Sequence, residues 1–433
     1  MADTLELLSE RFARAITAAC GDDYAGTDPI LRPAQKPEFG DYQSNVAMSL
    51  AKRVKAKPRD VAAKIIESLD VADVCEPPEI AGPGFINLRL TPGFLADQAA
   101  ALAADEHLGV KPNDAPRHVV VDYSGPNVAK EMHVGHIRST CIGDSMVRVL
   151  EFLGDKVTRQ NHLGDWGTQF GMLIEHMADT GAQEGEAFRV SDLNALYQQA
   201  KTKFDEDAEF ADRARRRVVA LQSGDASTLA LWRQLVDESE RHFEQVYARL
   251  NVRLTAEDIR GESFYNDQLA ATADELERKG VARDSEGALC VFVEKYESPV
   301  MVRKSDGGFG YDATDLAAIR YRVNDLGADR LIYVTDARQR EHFDKVFDAA
   351  RRAGWAEGVR LDHVPFGTIL GKDGKPFKTR AGDVVKLADL LDEAVQRAGA
   401  IVAEKNPDLP TDEQAEVARV VGIGAIKYFD LSS

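Results

Sequence analysis

The sequence predicts an α/β protein, in which a doubly wound parallel sheet carries a helical insertion and follows a small α+β domain. The first sign is a β-branched run, HVVVDYS from residue 118, which is typical of a buried parallel strand. A loop and then apolar residues at helical spacing follow it, as in a βαβ unit. The alternation returns with RLIYVTD at 330–336 and RLDHVPF at 360–366. Residues 180–260 between them are charge-rich and helical, which predicts an insertion.

The first 111 residues predict a separate domain. A helix pattern at 4–20 precedes a stretch punctuated by Pro and Gly, a helix divided at Pro58 and the strand-like segment EIAGPGFINLRL. The segment HLGVKPNDAPR has the composition of a linker. The division that we expect is 1–111 for the N-terminal domain, 112–385 for the α/β domain with its insertion at about 180–300, and 386–433 for C-terminal helices.

Composition excludes several classes of protein. The 433 residues include 54 Lys and Arg against 72 Asp and Glu, a net charge of −18, which argues against nucleic-acid binding by bulk charge but leaves room for a local basic track. No uncharged apolar run approaches the ~20 residues that a membrane span needs. The N-terminus lacks a secretory signal, and the four cysteines are far apart, so we expect free thiols, no metal pair and a cytoplasmic location.

The first strand leads into VDYSGPNVAKEMHVGHIRST, which places two histidines where a loop becomes a helix. A helix start favours phosphate, Gly135 allows a nucleotide to approach the backbone, and His133 and His136 could donate hydrogen bonds to a triphosphate and its transition state. Two alternatives stay open for a bare HxGH: a pair of locally satisfied histidines, and a metal site with His162, which lacks a carboxylate or thiolate ligand at suitable spacing.

A second segment, GKDGKPFKTRAGD, follows the strand at 360–366 and is rich in glycine and lysine. It is not a phosphate-binding P-loop, because GxxxxGK[ST] is not matched. Mobile cations beside a nucleotide would stabilise a leaving pyrophosphate, whereas an ordinary solvated hairpin would explain the loop on its own. The cations in question are Lys372, Lys375, Lys378 and Arg380.

Acidic and polar residues form the third group, at predicted strand ends or in adjoining loops. Open α/β sheets bind ligands outside the carboxyl ends of their strands. Carboxylates that converge there would suit a cationic substrate, above all a guanidinium, although each residue alone could be an ordinary surface or capping group. The group comprises Asp122, Asn127, Glu262, Tyr311, Asp315 and Gln339.

At PNVAKEMHVGH the chain resembles a class I aminoacyl-tRNA synthetase, with residues 133–136 in the place of the HIGH signature. The segments NHLGDWGTQFG, GESFYND, YDATDLAA, VTDARQREHF and GKDGKPFKTRAGDVVKLADLLDEA, in this order, are similar to the arginyl-tRNA synthetase family over essentially the whole chain. The resemblance implies a Rossmann-like catalytic domain. It also implies that L-arginine reacts with ATP, in the presence of Mg²⁺, to give arginyl-adenylate and pyrophosphate, and that arginine then passes to the terminal adenosine of tRNA(Arg).

The family pattern also implies roles for individual residues. ATP binding falls to His133, Gly135 and His136, and further to Gly164, Asp165 and His342. The acidic and polar residues at the strand ends match positions that hold arginine in the family. Among them, Asp315 and Tyr311 match the guanidinium end, and Asp122 lies near the substrate amine. No side chain need act as a covalent nucleophile, and no protein-bound metal is expected.

The sequence departs from the class at its second signature, where KMSKS is replaced by PFKTR at 376–380. In the arginyl branch a lysine ahead of the HIGH-like segment is thought to compensate, and Lys130 fits. We therefore expect Lys130, Lys375, Lys378 and Arg380 to act with the two histidines, and the division of labour among these cations stays open.

The first 111 residues resemble the extra N-terminal domain of this family, which contacts the elbow of tRNA. Phe85 and Asn87 in AGPGFINL match positions that would meet a D-loop base. The alternative is that Phe85 fills the core of the small domain, since it lies in an alternating strand. Basic residues at 52–59 could follow phosphates.

The C-terminal pattern EQAEVARVVGIGAIKYFDLSS stops without a cap, so the chain looks cut. In the family this helix leads into an anticodon-binding domain, and activation commonly requires bound tRNA. We expect a monomer that binds ATP and arginine but charges tRNA weakly or not at all. The alternatives are a nucleotidyltransferase of the HxGH superfamily that acts on a small acid without tRNA, and a non-catalytic RNA-binding paralogue, against which the intact HVGH, Asp315 and Gln339 count.

Overall fold

The computed structural model describes residues 4–181, 190–369 and 385–432. The chain divides into two compact units, residues 1–111 and 112–433, which are considered separately. No helix within the described ranges is long and apolar enough to cross a membrane.

The N-terminal unit is a four-stranded antiparallel sheet with helices, in the strand order β1-β2-β4-β3. Leu8, Phe12 and Ile16 recur every four residues in its first helix and are fully buried in the core of the unit. The elements are α1 (Thr4–Cys20), β1 (Leu31–Pro33), β2 (Tyr42–Ser44), α2 (Val46–Ala51), α3 (Pro58–Glu67), β3 (Glu79–Ala81), β4 (Phe85–Leu88) and α4 (Pro92–Ala104).

The segment EIAGPGFINLRL, expected as one strand, is a hairpin of β3 and β4. The physical reason is the turn between them: Gly82 and Gly84 have φ values of +51° and +149°, which a continuous strand of L-residues cannot accommodate. Both flanks of the turn are extended and pair with each other, which is why the whole segment reads as strand-like.

The second unit is built on a four-stranded parallel sheet in the order β11-β10-β5-β6, which confirms the predicted α/β fold. Helices connect its strands, and the carboxyl ends of all four strands lie at one edge. The elements are β5 (His118–Asp122), α5 (Val134–Phe152), β6 (Lys156–Gln160), α6 (Thr168–Asp179), α11 (Tyr311–Asn324), β10 (Arg330–Asp336), α12 (Arg340–Arg352) and β11 (Arg360–Phe366).

The chain between α6 and α11 contains the helices and short strands that interrupt the sheet. Three helices come first, and α10 then leads to a three-stranded antiparallel sheet in the order β7-β8-β9. The elements are α7 (Val190–Glu206), α8 (Ala208–Gln222), α9 (Ala226–Arg249), α10 (Asn266–Arg278), β7 (Arg283–Ser285), β8 (Ala288–Val291) and β9 (Val300–Arg303).

Two C-terminal helices, α13 (Leu387–Lys405) and α14 (Thr411–Leu431), pack against each other and against α5. Their backbones approach closely at Gly422, where an added Cβ would lie 2.8 Å from the carbonyl oxygen of Ala394. The amide of Leu387 donates to the carbonyl of Met132, so α13 begins beside the HVGH segment.

Candidate active site

A cavity of about 750 Å³ opens at the carboxyl edge of the parallel sheet. Its walls come from the ends of β5 and β10, the start of α5, and the loops and helix starts around α11 and α12. The cavity brings together residues that the sequence spreads over more than 200 positions. Those predicted residues are Asp122, Asn127, His133, Gly135, His136, Gly164, Glu262, Tyr311, Asp315, Gln339 and His342.

The two histidines of HVGH cap the first turn of α5. Nδ1 of His133 accepts a hydrogen bond from the amide of Gly135, and Nδ1 of His136 accepts one from the amide of His133, both at 3.0 Å. The rings stack with centroids 3.9 Å apart. An added Cβ on Gly135 would lie 2.8 Å from the His133 ring, so this close packing requires glycine.

This geometry fixes the protonation state of both rings. Desolvation, together with the charge of Lys130, lowers the pKa of His133, and desolvation beside His133 lowers the pKa of His136 to about 3. Both imidazoles are therefore neutral at pH 7, and because Nδ1 is the acceptor, the proton resides on Nε2. Each histidine can thus donate one N–H to an anion at the helix start.

The lysine-rich segment is attached to the HVGH segment on both described flanks. On one side Nη1 of Arg138 donates to the carbonyl of Gly367 at 3.0 Å. On the other side the amide of Val134 donates to the carbonyl of Val385 at 3.0 Å, and His133 forms an antiparallel bridge with Lys386. The predicted cations Lys372, Lys375, Lys378 and Arg380 lie outside the described residues, but the segment that contains them begins and ends next to α5.

Lys130 lies beside the histidines but is not part of the cavity wall. Its Nζ is 4.8 Å from the ring centroid of Tyr197 in α7, a cation–π contact, and its charge is among the causes that lower the pKa of His133. Lys130 therefore approaches the expected phosphate site from the side of the helical insertion.

The opposite wall is acidic and contains a charged histidine. His342 lies between two carboxylates, with Nε2 2.6 Å from Oδ2 of Asp315 and Nδ1 3.2 Å from Oδ1 of Asp312. Desolvation alone would lower the pKa of His342, but the hydrogen bonds and charges of the two aspartates raise it to about 9. Burial opposes ionisation of Asp315, yet the hydrogen bond from His342 lowers its pKa. Asp315 is therefore held ionised, and the ring of Tyr311 lies 5.2 Å from that of His342.

Glu262 is a carboxyl group whose surroundings favour the protonated form. Burial is the main cause, and the charges of Asp165 and Asp315 add to it, so that the pKa of Glu262 rises to about 8. A cationic ligand would reverse this balance, because its charge favours the carboxylate.

Two residues expected to bind ATP, Asp165 and His342, have hydrogen-bond partners within the protein, and their role in ATP binding stays a prediction. Asp165 is buried and does not line the cavity: its carboxylate accepts hydrogen bonds from the amide and hydroxyl of Ser263, which fixes the turn that contains Glu262. His342 lines the cavity but is bonded to Asp315, on the acidic side. Gly164 borders the cavity. A Cβ added to Gly164 would lie 2.1 Å from Oδ1 of Asn127, so only glycine leaves room for the Asn127 amide.

The sequence reasoning missed Arg322, which is only 1% exposed and lies beneath the cavity. Its Nη2 donates to Oδ2 of Asp122 at 2.7 Å and its Nε to Gln160 at 2.6 Å, so the carboxylate of Asp122 already has a charged partner. The sequence contains a signal for Arg322, because this residue follows Tyr311 by 11 positions and Asp315 by 7. At that spacing the three residues share one face of α11.

His162, the third residue of the metal alternative, faces the acidic side, where its Nε2 lies 3.9 Å from Asp315. Within the described part of the chain, no group of three or more His, Cys, Asp or Glu side chains could hold a metal ion.

In the N-terminal unit, the two residues expected to meet RNA have different surroundings. Phe85 is half-buried beside the turn at Gly82 and is not part of the hydrophobic core. Asn87 is only 8% exposed, and its Oδ1 accepts a hydrogen bond from Gln43 at 2.7 Å. Asn87 therefore holds neighbouring strands together, and Phe85 is the member of the pair that is open to a ligand.

The histidine-capped helix start and the cavity at the carboxyl edge define the catalytic domain of a class I aminoacyl-tRNA synthetase. Comparison of the sequence with models of protein families leads to the same class. Residues 98–433 match the model for the catalytic domain of class I (R) tRNA synthetases, and residues 6–90 match the arginyl tRNA synthetase N terminal domain.

Curated relatives narrow the class to one family. The chain is 54% identical to an arginine–tRNA ligase of Thermobifida fusca, covering 100% of this chain and 76% of the relative, and 52% identical to one of Laribacter hongkongensis, covering 99% and 75%. Among solved structures, arginyl-tRNA synthetase from Plasmodium falciparum matches with a TM-score of 0.70 and 30% identity over 99% of this chain and 74% of that one. The chain belongs to the arginyl-tRNA synthetase family, and its enzyme class is arginine–tRNA ligase.

Proposed function

We propose that this chain activates L-arginine with ATP and Mg²⁺ in the cavity described above and then transfers the arginyl group to the terminal adenosine of tRNA(Arg). The observation that supports this best is that two neutral, N–H-donating histidines and an ionised aspartate line one cavity. One wall suits a phosphate and the other suits a guanidinium. A nucleotidyltransferase without tRNA and a silent paralogue are not favoured, because both family models match.

On the phosphate side, Nε2–H of His133 and of His136 binds ATP and stabilises charge on the reacting phosphates. Gly135 and Gly164 leave room for the nucleotide. Mg²⁺ held by the phosphates of ATP would shield their charge. Lys130, whose charge acts on His133, neutralises the leaving pyrophosphate. The others in this role are Lys375, Lys378 and Arg380, whose segment has both described flanks next to α5.

On the acidic side, Asp315 accepts hydrogen bonds from the guanidinium and Tyr311 packs beside it. Glu262, Asn127 and Gln339 line the remainder of this wall and hold the rest of the amino acid. Asp122, neutralised from below by Arg322, orients the substrate amine through its second oxygen. Catalysis in this arrangement comes from positioning and electrostatics, because the attacking group is the carboxylate of arginine itself.

The experiment that tests the proposed function is pyrophosphate exchange with arginine, lysine, glutamate and cysteine, each with and without tRNA. Exchange that is specific for arginine and occurs only with tRNA supports the proposal, and exchange with another of these amino acids instead would overturn it. Charging of tRNA(Arg) is measured separately, since the expectation of weak or absent charging stays a prediction.

Arginine binding should release a proton near neutral pH. Glu262, with a pKa of about 8, is protonated at pH 7, and the positive charge of bound arginine lowers that pKa. Affinity for arginine should therefore rise as pH increases toward 8 and level off above it. Calorimetry in two buffers of different ionisation enthalpy measures the proton count. Glu262→Gln should abolish the release, whereas Glu257→Gln, on the exposed turn nearby, should keep it; equal release from both variants would refute the assignment.

We further propose that residues 1–111 bind tRNA and that Phe85 stacks on an unpaired base. Phe85→Ala should raise KM for tRNA about tenfold, since stacking on one base contributes about 1–3 kcal/mol, and should leave KM for ATP unchanged. Arginine-dependent pyrophosphate exchange at varied tRNA concentration measures this. Phe39→Ala, which removes another half-buried phenylalanine of the same unit, is the matched control. An equal effect of both substitutions would indicate a loss of folding and contradict a contact role.

We also propose that the protein works as a monomer in the cytoplasm. The cysteines support the location: all four are free thiols, three of them buried, as is usual in a reducing compartment. Light scattering of the purified chain tests the monomer.

A further inference from the structure

Arg138 joins three segments that are far apart in sequence. It lies on α5, two residues beyond His136. Its Nη1 donates to the carbonyl of Gly367 at 3.0 Å, and its Nε lies 2.9 Å from Oδ1 of Asp430 near the end of α14. The side chains of Arg138 and Asp430 are only 13% and 3% exposed. A buried ion pair thus connects the phosphate end of the cavity to the C-terminal helix.

The pair is costly to bury, which argues that it does more than fill space. Burial raises the pKa of Asp430, and the charge of Arg138 opposes that rise. Taking two charges out of water costs several kcal/mol for each ion, and well-packed apolar side chains would often be as stable. What Arg138 adds is a fixed relative orientation, because its two terminal nitrogens donate in defined directions to the backbone carbonyls of Gly367 and Asp430, at 3.0 and 3.5 Å.

The residues that Arg138 orients border the proposed phosphate site. Gly367 follows β11, whose last residue, Phe366, lines the cavity, and the lysine-rich segment begins a few residues later. The far flank of that segment is bonded to the same helix start, through the amide of Val134 and the carbonyl of Val385. The first two turns of α5 therefore hold the histidines and both described flanks together.

The position of Asp430 depends in turn on how α14 is seated. Three residues earlier on that helix, Nζ of Lys427 donates to the carbonyl of Leu250, at the end of α9. Gly422 allows close packing of α14 against α13. The end of α14 is thus attached to the body of the unit through two side chains on neighbouring turns, Lys427 and Asp430.

We propose that Arg138 is a positioning residue for ATP and that Asp430 sets its orientation, so that the geometry of the phosphate site depends on the seating of α14. Arg138 itself does not touch the nucleotide. It holds the carbonyl of Gly367, at the end of β11, against the histidine-capped turn. This inference rests on the proposed function, which assigns ATP to His133 and His136.

The test compares three variants with the wild-type chain in pyrophosphate exchange with saturating tRNA. Arg138→Lys keeps the charge but loses the fork, and Asp430→Asn keeps the shape but loses the charge. The double variant Arg138→Gln with Asp430→Asn leaves no unpaired buried charge. Each should raise KM for ATP about tenfold or more and change KM for arginine less than twofold. Arg419→Gln, which breaks an exposed pair with Glu416 on the same helix, should behave as wild type.

Thermal unfolding separates a positioning role from a merely structural one. The double variant should unfold within a few degrees of wild type and still show the raised KM for ATP. The inference is overturned if KM for ATP is unchanged, if both KM values rise together, or if all three variants fail to fold. A failure of the proposed function looks different: His136→Asn would then keep normal use of ATP, whatever the Arg138 variants do.

Discussion

Replacement of Asp315 by asparagine should lower kcat/KM for arginine about a thousandfold and leave ATP binding intact. His342 holds Asp315 ionised at the wall of the cavity through a 2.6 Å hydrogen bond. Asparagine has nearly the same shape but cannot form the paired, charge-assisted hydrogen bonds that a carboxylate makes with a guanidinium. Loss of one partner from a desolvated charge pair costs about 4 kcal/mol, which corresponds to about a thousandfold.

The measurement is arginine-dependent pyrophosphate exchange over a wide range of arginine concentration, with ATP binding followed separately. Asp325→Asn, at the exposed end of the same helix, is the matched control and should have no effect. If Asp315→Asn kept the wild-type KM for arginine, the guanidinium would have to bind elsewhere and the assignment of the acidic wall would be wrong.

The second large effect is expected at His136, where two substitutions separate two functions of one ring. Asparagine places an acceptor where Nδ1 lies and can keep the cap on the amide of His133, but it has no group in the position of Nε2. Glutamine reaches the position of Nε2 and loses the cap. His136→Asn should therefore fold normally and lower kcat about 100-fold to 1,000-fold, the usual result of removing one donor to a developing anion.

His136→Gln should retain more activity than His136→Asn and unfold at a lower temperature, because a lost helix cap costs about 1 kcal/mol. Single-turnover formation of arginyl-adenylate and thermal unfolding measure the two quantities. The opposite order of activities would show that the cap, and not the outward N–H, is what catalysis needs.

Much of the phosphate side was predictable because its contacts are local. The hydrogen bonds of His133 and His136 connect residues no more than three apart, so the segment HVGH by itself defines the capped turn. The carboxyl-edge rule for parallel sheets then predicted that residues after several strands would meet. That rule correctly brought Asp122, Asn127 and Gln339 to one cavity.

What the sequence did not reveal are bonding partners that lie far away along the chain, although the roles of these residues toward ATP stay predictions. Asp165 was expected at ATP, but Ser263, nearly 100 residues later, takes its hydrogen bonds. His342 was assigned to ATP although two aspartates of α11 surround it. The bond from Arg322 to Asp122 joins residues 200 positions apart, and helical spacing in α11 could point to Arg322 but could not identify its partner.

The sequence by itself determined the order of strands and helices, the position of the insertion, the capped turn at HVGH and the family resemblance. Those properties depend on periodicity and on contacts within a few residues. Only the tertiary structure decided which carboxylates are paired, why Glu262 is protonated and His342 charged, and how Asp430 reaches Arg138. Burial and distances between remote residues set these properties, and the order of residues along the chain does not specify them directly.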